Sequence, residues 1–216
     1  MTTKPGNPVG ASDFVTEAYN VHGKKDLKKF YGKWADEYDH QMLGKLDYVS
    51  PGIIAALMQR YLPDKAARIL DIGCGTGLTG NGLHENGYTA IYGIDLSEEM
   101  VRIAGKRGIY QELKTADVTR PLSFEDNEFD GAISSGTFTH GHVGAECLEE
   151  IFRIIKPDGL LACTVNSDIW ESAGFAETFS RMEGDRRIRC LVRTADKFYE
   201  GKDPAGWFCV YRQLVE

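Results

Sequence analysis

The chain predicts an α/β fold: a doubly wound, mostly parallel sheet of seven strands, with an antiparallel C-terminal pair at one edge and two helices ahead of the first strand. Three observations carry this. Between residues 68 and 165, short apolar runs alternate with stretches of helical length, and connections that long join parallel strands. The first run leads directly into a glycine cluster, Gly73, Gly75, Gly77 and Gly80, suited to a tight turn. Two late apolar runs, 188–193 and 207–212, have no crossover helix between them and read as an antiparallel pair, a common edge to a parallel sheet.

The elements follow in order. Residues 26–42 place Leu27, Phe30, Tyr31, Trp34 and Tyr38 at helical spacing. Ser50 is an expected N-cap with Pro51 at the first helical position, and an apolar face runs on from Ile53 to Leu62. Residues 68–72 form the first strand and 78–85 the helix after it. Residues 89–94 are the second strand, and Ser97 caps a helix through Lys106, with Glu98 and Glu99 well placed in its first turn. Residues 110–115 and 129–134 are the third and fourth strands. An amphipathic helix over 145–155, a turn at Lys156-Pro-Asp-Gly159 and a fifth strand over 160–165 complete the alternation. Ligands of such sheets gather outside the carboxyl ends of the strands.

Composition narrows the function classes. The 216 residues carry 25 Lys+Arg against 32 Asp+Glu, a formal net charge of −7, with 42% hydrophobic residues. That balance suits one soluble domain over 26–216 behind a flexible Pro-, Gly- and Asn-rich leader over 1–25. An acidic chain argues against a nucleic-acid partner, and no apolar stretch has the length of a membrane span. One local exception, residues 181–197, holds six basic and three acidic residues and reads as a solvated face. Five scattered cysteines without a C-x-x-C spacing argue against a disulfide framework or a metal site. A cytoplasmic protein is the expectation; the oligomeric state is left open.

The glycine loop admits two readings. Gly75-Thr-Gly77-Leu-Thr-Gly80 is a literal G-x-G-x-x-G, and Asp95 stands twenty residues after Gly75, both as in a dinucleotide fingerprint. Asp71 argues against NAD or FAD, because a carboxylate just ahead of the first glycine repels a pyrophosphate and suits an amino group or a cation.

At these residues the sequence resembles the class I S-adenosylmethionine-dependent methyltransferases. Asp71-Ile-Gly-Cys-Gly-Thr-Gly77 resembles their motif I, Ile94-Asp95-Leu-Ser97 their ribose-binding strand end, and Ala116-Asp117-Val118 their adenine-contacting acidic turn. Phe129-Asp-Gly-Ala-Ile-Ser134-Ser135 resembles motif IV, and Ile154-Ile-Lys156-Pro-Asp-Gly159 the L-K-P-G-G turn, with Asp158 in place of a glycine. Tyr31-Gly-Lys-Trp34-Ala-Asp-Glu-Tyr38-Asp39 is similar to the lead-in helix of the type 11, or Williams–Beuren-region methyltransferase-like, subgroup. The resemblance spans residues 30–165 and implies a Rossmann-like fold with S-adenosylmethionine as cofactor and S-adenosylhomocysteine as product.

It also implies roles. Asp95 accepts both ribose hydroxyls. The backbone of Gly73, Cys74, Gly75 and Gly77 lies against the methionyl part, with Asp71 helping to hold its ammonium. Asp117 accepts from the adenine amino group beside Val118, and Leu96 and Met100 pack on the ring. Tyr31, Trp34 and Tyr38 cover the site and face the sulfonium. Ser134 and Ser135, with Gly136, line the cleft after the fourth strand. Asp95 and Asp117 serve equally well as loop caps, and the three aromatics as ordinary packing residues.

Methyl transfer from a sulfonium is an in-line displacement, so the protein mainly aligns the reacting groups and excludes water. A base is needed only for an acceptor that starts protonated. His140 is the first candidate and His142 the second, both in the glycine-flanked stretch 136–144. Trp170, Phe175, Phe179 and Met182 offer either pocket walls or a packed helix. A small-molecule acceptor is expected, since no recognition domain is appended and the surface is acidic. The rivals are a NAD- or FAD-dependent oxidoreductase and a non-catalytic S-adenosylmethionine binder.

Overall fold

The computed structural model describes Val21, Asp26, residues 29–30, 38–44, 46–140 and 143–214. Apart from Val21, the expected leader lies outside these residues, as do most of the first expected helix and its Tyr31 and Trp34. The strands are β1 (Ile69–Ile72), β2 (Ile91–Asp95), β3 (Tyr110–Thr115), β4 (Phe129–Phe138), β5 (Ile155–Asn166), β6 (Ile188–Asp196) and β7 (Gly206–Gln213). They form one sheet in the order β3-β2-β1-β4-β5-β7-β6. The first five are parallel, and β7 runs antiparallel to both β5 and β6. The expected α/β sheet is therefore present, with the last strand inserted inside the edge strand β6.

The described helices are α1 (Tyr38–Gly44), α2 (Ser50–Tyr61), α3 (Leu78–Glu85), α4 (Glu98–Gly105), α5 (Leu148–Ile154) and α6 (Phe175–Gly184). Double winding is visible in β1. Ile69 packs with Ile54, Met58 and Leu83 on one face, while its neighbour Leu70 packs with Ile151, Phe152 and Phe129 on the other. Alternate side chains of a strand point to opposite faces, so a strand buried on both reads as a continuous apolar run. Truncating the fully buried Ile54 to alanine would cost about 2–5 kcal/mol. Ser97 caps α4 as expected, its hydroxyl accepting from the Met100 N–H at 3.4 Å. No described helix is long and apolar enough to cross a membrane.

Three local differences from the sequence reading bear on the site. Strand β4 continues through Phe138 instead of ending at Ser134, with its register against β5 shifting between Ser134 and Phe138. Such a bulge lets an extra length of chain re-aim its side chains at the rim of a sheet. The turn at residues 156–159 lies inside the run assigned to β5, with Asp158 at φ 64°, a left-handed conformation that a short polar side chain tolerates. Ser50 lies inside α2 and makes no cap, because its hydroxyl bonds Ser135 instead.

The chain leaves β1 toward β2 and β3 on one side, then crosses to β4 on the other. The β1–β4 boundary is thus the point where strand order reverses, the place at whose carboxyl ends sheets of this kind bind their ligands.

Candidate active site

The loop after β1 is shaped from below by close contacts. Asp71 is fully buried, and its Oδ2 accepts from the Tyr110 hydroxyl at 2.7 Å. Tyr110 starts β3, so its ring reaches across β2 at Gly93, where a Cβ would stand 3.0 Å from the ring. At Gly80 a Cβ would stand 2.2 Å from the Tyr110 hydroxyl oxygen. The third glycine of the apparent dinucleotide fingerprint is therefore explained by Tyr110. Burial pushes the Asp71 carboxyl up to about 7. Its other oxygen, Oδ1, is buried without a hydrogen-bond partner.

Gly73 and Gly75 behave differently. A Cβ at Gly73 would fall 2.1 Å from Thr137 Oγ1, so β4 closes over that residue. At Gly75, with φ 54°, a Cβ would meet nothing within 4 Å. That open cradle lets a ligand approach the backbone directly. It lies beside two acidic side chains, Asp71 and Asp95, whose ionised forms suit a sulfonium and an ammonium rather than a pyrophosphate.

Asp95 closes β2 and bridges two segments: its Oδ2 accepts from the Gly75 N–H at 2.9 Å and its Oδ1 from the Ser97 N–H at 2.8 Å. It thus does act as a loop cap, fixing the cradle, while burial raises its pKa. Leu96 is half-buried beside it and Met100 is buried. Asp117 Oδ1 accepts from the Thr119 N–H at 3.0 Å and hydroxyl at 2.7 Å, shaping the turn that carries the buried Val118. Cys74 is buried under the loop, its N–H donating to the Ile94 carbonyl at 2.9 Å, and the Gly77 N–H returns to the Cys74 carbonyl at 2.8 Å.

Across the boundary from β1, β4 brings its own groups. The Ser134 hydroxyl is fully buried and donates to the Ile72 carbonyl at 2.9 Å, so it is committed to the sheet. Ser135 faces the other way and joins a hydroxyl cluster, 2.8 Å from Ser50 Oγ and 3.2 Å from Tyr48 Oη. Gly136 makes room for that phenol, since a Cβ would stand 2.8 Å from the Tyr48 oxygen. His140 follows, with Nε2 3.0 Å from Asp168 Oδ2. Asp168 is held by a turn in which its N–H donates to Asn166 Oδ1 at 2.9 Å. The two therefore meet just past the carboxyl ends of β4 and β5, both partly exposed.

Tyr31, Trp34 and His142 lie outside the described residues. Tyr38 packs with Met42, Leu46 and Leu78 in a small apolar cluster that seats α1 on the start of α3. Phe175, Phe179 and Met182 are fully buried in the core, and Phe179 stacks on Tyr211 with ring centroids 4.1 Å apart, so the helix-packing alternative holds for them. Sequence reasoning passed over Tyr48, Tyr110 and Asp168. The first two had no signal beyond their aromatic character, and Asp168 lay 28 residues from its histidine.

Residues 70–163 match the family described as Methyltransferase domain. Over 172 residues the chain is 31% identical to human methyltransferase-like protein 27, covering 76% of this chain and 69% of that protein. It is 41% identical to an Arabidopsis thaliana 18S rRNA (guanine-N(7))-methyltransferase over 66 residues, 31% of this chain and 22% of that one. A Haloferax volcanii methyltransferase, solved in complex with the Trm112 methyltransferase activator, shares the fold at a TM-score of 0.67 and 20% identity, covering 86% of this chain and 98% of that one. Glycine loop, sheet order and the 31%-identical human relative agree, and the chain belongs to the class I S-adenosylmethionine-dependent methyltransferase family.

Proposed function

We propose that this enzyme methylates a small molecule, with S-adenosylmethionine held over the glycine loop and the acceptor at the carboxyl ends of β4 and β5. The observation that carries the small-molecule reading is the fate of the basic segment 181–197. Arg181 and Arg187 both pair with Glu149, at 2.8 and 2.7 Å, and Arg193 lies over the Trp170 ring. Strand β6, which carries part of this segment, is the fourth strand from β1. Two of its arginines are held on one carboxylate, Glu149, and its strand stands away from the loop, which suits no polyphosphate track leading to the site. The rRNA-modifying relative matches 31% of this chain, too little to carry its acceptor over.

When bound, S-adenosylmethionine supplies a methyl group on a sulfonium, a leaving group already activated. The chain's part is positioning. The open backbone at Gly75 lies along the methionyl portion, with Gly73, Cys74 and Gly77 forming the rest of the turn. Asp95 accepts from the ribose hydroxyls, Asp117 from the adenine amino group, and Leu96, Met100 and Val118 flank the ring. Asp71 supplies negative potential toward the ammonium from beneath the loop. Ser134 and Ser135 hold the facing wall, Ser134 by anchoring β4 to β1.

Thr137 touches the loop at Gly73, and three residues span at most roughly 10 Å, which keeps His140 within reach of an acceptor beside the loop. Asp168 accepts the hydrogen on Nε2, fixing the tautomer so that the imidazole's basic electron pair sits on Nδ1. For a hydroxyl acceptor, His140 would take the proton from the oxygen that receives the methyl group, the electron pair of the broken S–CH3 bond staying on sulfur.

Transfer of radiolabelled methyl groups from S-adenosylmethionine into separated metabolite, RNA and protein pools tests this reading. Label in the metabolite pool supports it, and label confined to RNA or protein overturns it.

A further inference from the structure

We infer that Asp39 and Arg107 are positioning residues for the cofactor, acting through Thr76 at the tip of the glycine loop. The inference rests on the reading that this loop holds S-adenosylmethionine. Thr76 sits between Gly75 and Gly77 and is 1% exposed. Both of its polar groups are claimed by residues outside the loop. Its hydroxyl donates to Asp39 Oδ1, on α1. Its carbonyl accepts from Arg107 Nε at 2.6 Å. Arg107 then closes the ring by donating from its terminal nitrogen to Asp39 Oδ2. One carboxylate and one guanidinium thus grip a single loop peptide from two sides, and both are partly shielded from water.

The need for such a grip follows from the loop's composition. Glycine populates left-handed and right-handed conformations about equally, so a glycine-rich loop loses more freedom on ordering than any other. Gly75 and Gly77 adopt φ 54° and 91°, and the residue between them is the one that can be held by a side chain. Arg107 also fills the space under Gly77, where a Cβ would stand 2.9 Å from its Cδ. The clamp therefore sets the loop in its ligand-ready shape before the ligand arrives, which is how a preorganised site gains affinity.

The clamp also links α1 to the cofactor. The described helical residues 38–44 dock through the Met42 cluster and through Asp39, among other contacts, and a short helical segment draws most of its stability from such packing. Coupling between two events is reciprocal, so if docked α1 favours the ligand-ready loop, bound ligand must favour docked α1.

The test is calorimetric titration with S-adenosylhomocysteine on the full chain, with hydrogen exchange of residues 38–44 as a second readout. Charge-assisted hydrogen bonds of this kind predict that Asp39→Asn and Thr76→Val each weaken binding by about tenfold. The double variant should bind no worse than about tenfold below wild type, because each change breaks the same ring. Thr76→Ser, which keeps the hydroxyl, should bind like wild type and covers the case in which Asp39→Asn does not fold. S-adenosylhomocysteine should slow exchange across 38–44 in wild type and not in folded Asp39→Asn. A folded Thr76→Val with wild-type affinity overturns the inference, as do multiplicative losses in the double variant. A wild-type chain that does not bind S-adenosylhomocysteine overturns the cofactor reading itself.

Discussion

The Tyr110 hydroxyl, on β3, donates to the buried carboxylate of Asp71, on β1, at 2.7 Å, passing over β2 where Gly93 leaves room for the ring. This bond ties the first strand of the site to the sheet edge. Burial holds the Asp71 carboxyl up at about 7, against an ordinary 3.8. The folded chain therefore binds this proton more tightly than the unfolded chain does. Its contribution favours folding at low pH and is lost as the pH rises from 3.8 to about 7. Tyr110→Phe removes the phenolic donor from the ionised carboxylate and should cost about 1–3 kcal/mol at pH 8, with a smaller loss at pH 5, where Asp71 is protonated. Urea unfolding at the two pH values checks this; an equal loss at both would contradict it.

Gly80→Ala places a methyl group against the Tyr110 hydroxyl and should destabilise by about 1–3 kcal/mol. In a double-mutant cycle with Tyr110→Leu the two changes should couple favourably, the smaller side chain relieving the clash. Additive effects would mean that Gly80 is required for some other reason.

Gly75→Asn separates loop shape from loop space. Asparagine tolerates the left-handed backbone at φ 54°, and nothing lies within 4 Å of the added Cβ, so the variant should keep a melting temperature close to wild type. Its side chain fills the cradle, so S-adenosylhomocysteine binding should fall by at least about a hundredfold, the scale set by one displaced ligand segment. Calorimetry on the folded variant decides the matter, and intact binding would move the ligand off this loop.

Much of this was legible in the sequence, and for a physical reason. Strand runs such as Ile69–Ile72, buried on both faces, keep their apolar character whatever packs on them, and Ser97 caps its helix through a bond three residues long. Gly73, Gly75 and Asp95 are joined by chain geometry near the first crossover. What the sequence hid depends on long-range meetings. Asp39 finds Arg107 across 68 residues, and Ser50 finds Ser135 across 85, turning an expected cap into part of the cleft wall. The last strand's place inside β6 was equally hidden, because either order satisfies an antiparallel pair.

For the chemical step, Asp168→Asn removes the carboxylate that faces His140 Nε2 at 3.0 Å. With a hydroxyl acceptor, kcat should fall by about 10²- to 10⁴-fold in His140→Gln and by a smaller factor in Asp168→Asn, with KM for S-adenosylmethionine unchanged in both. Steady-state kinetics with the acceptor identified by label transfer checks this, and unchanged kcat in His140→Gln would remove the base assignment.

On the proposed reading, the open cradle at Gly75, beside Asp71 and Asp95, takes an adenosyl sulfonium rather than a dinucleotide. Thermal unfolding with S-adenosylhomocysteine, S-adenosylmethionine, NAD and FAD in parallel distinguishes the two. A ligand at one hundred times its Kd adds about 2.7 kcal/mol, roughly 5–10 °C in Tm for a chain of this length. That shift is expected with the two adenosyl ligands and none with NAD or FAD, whereas a shift with NAD or FAD alone would make the loop a dinucleotide site.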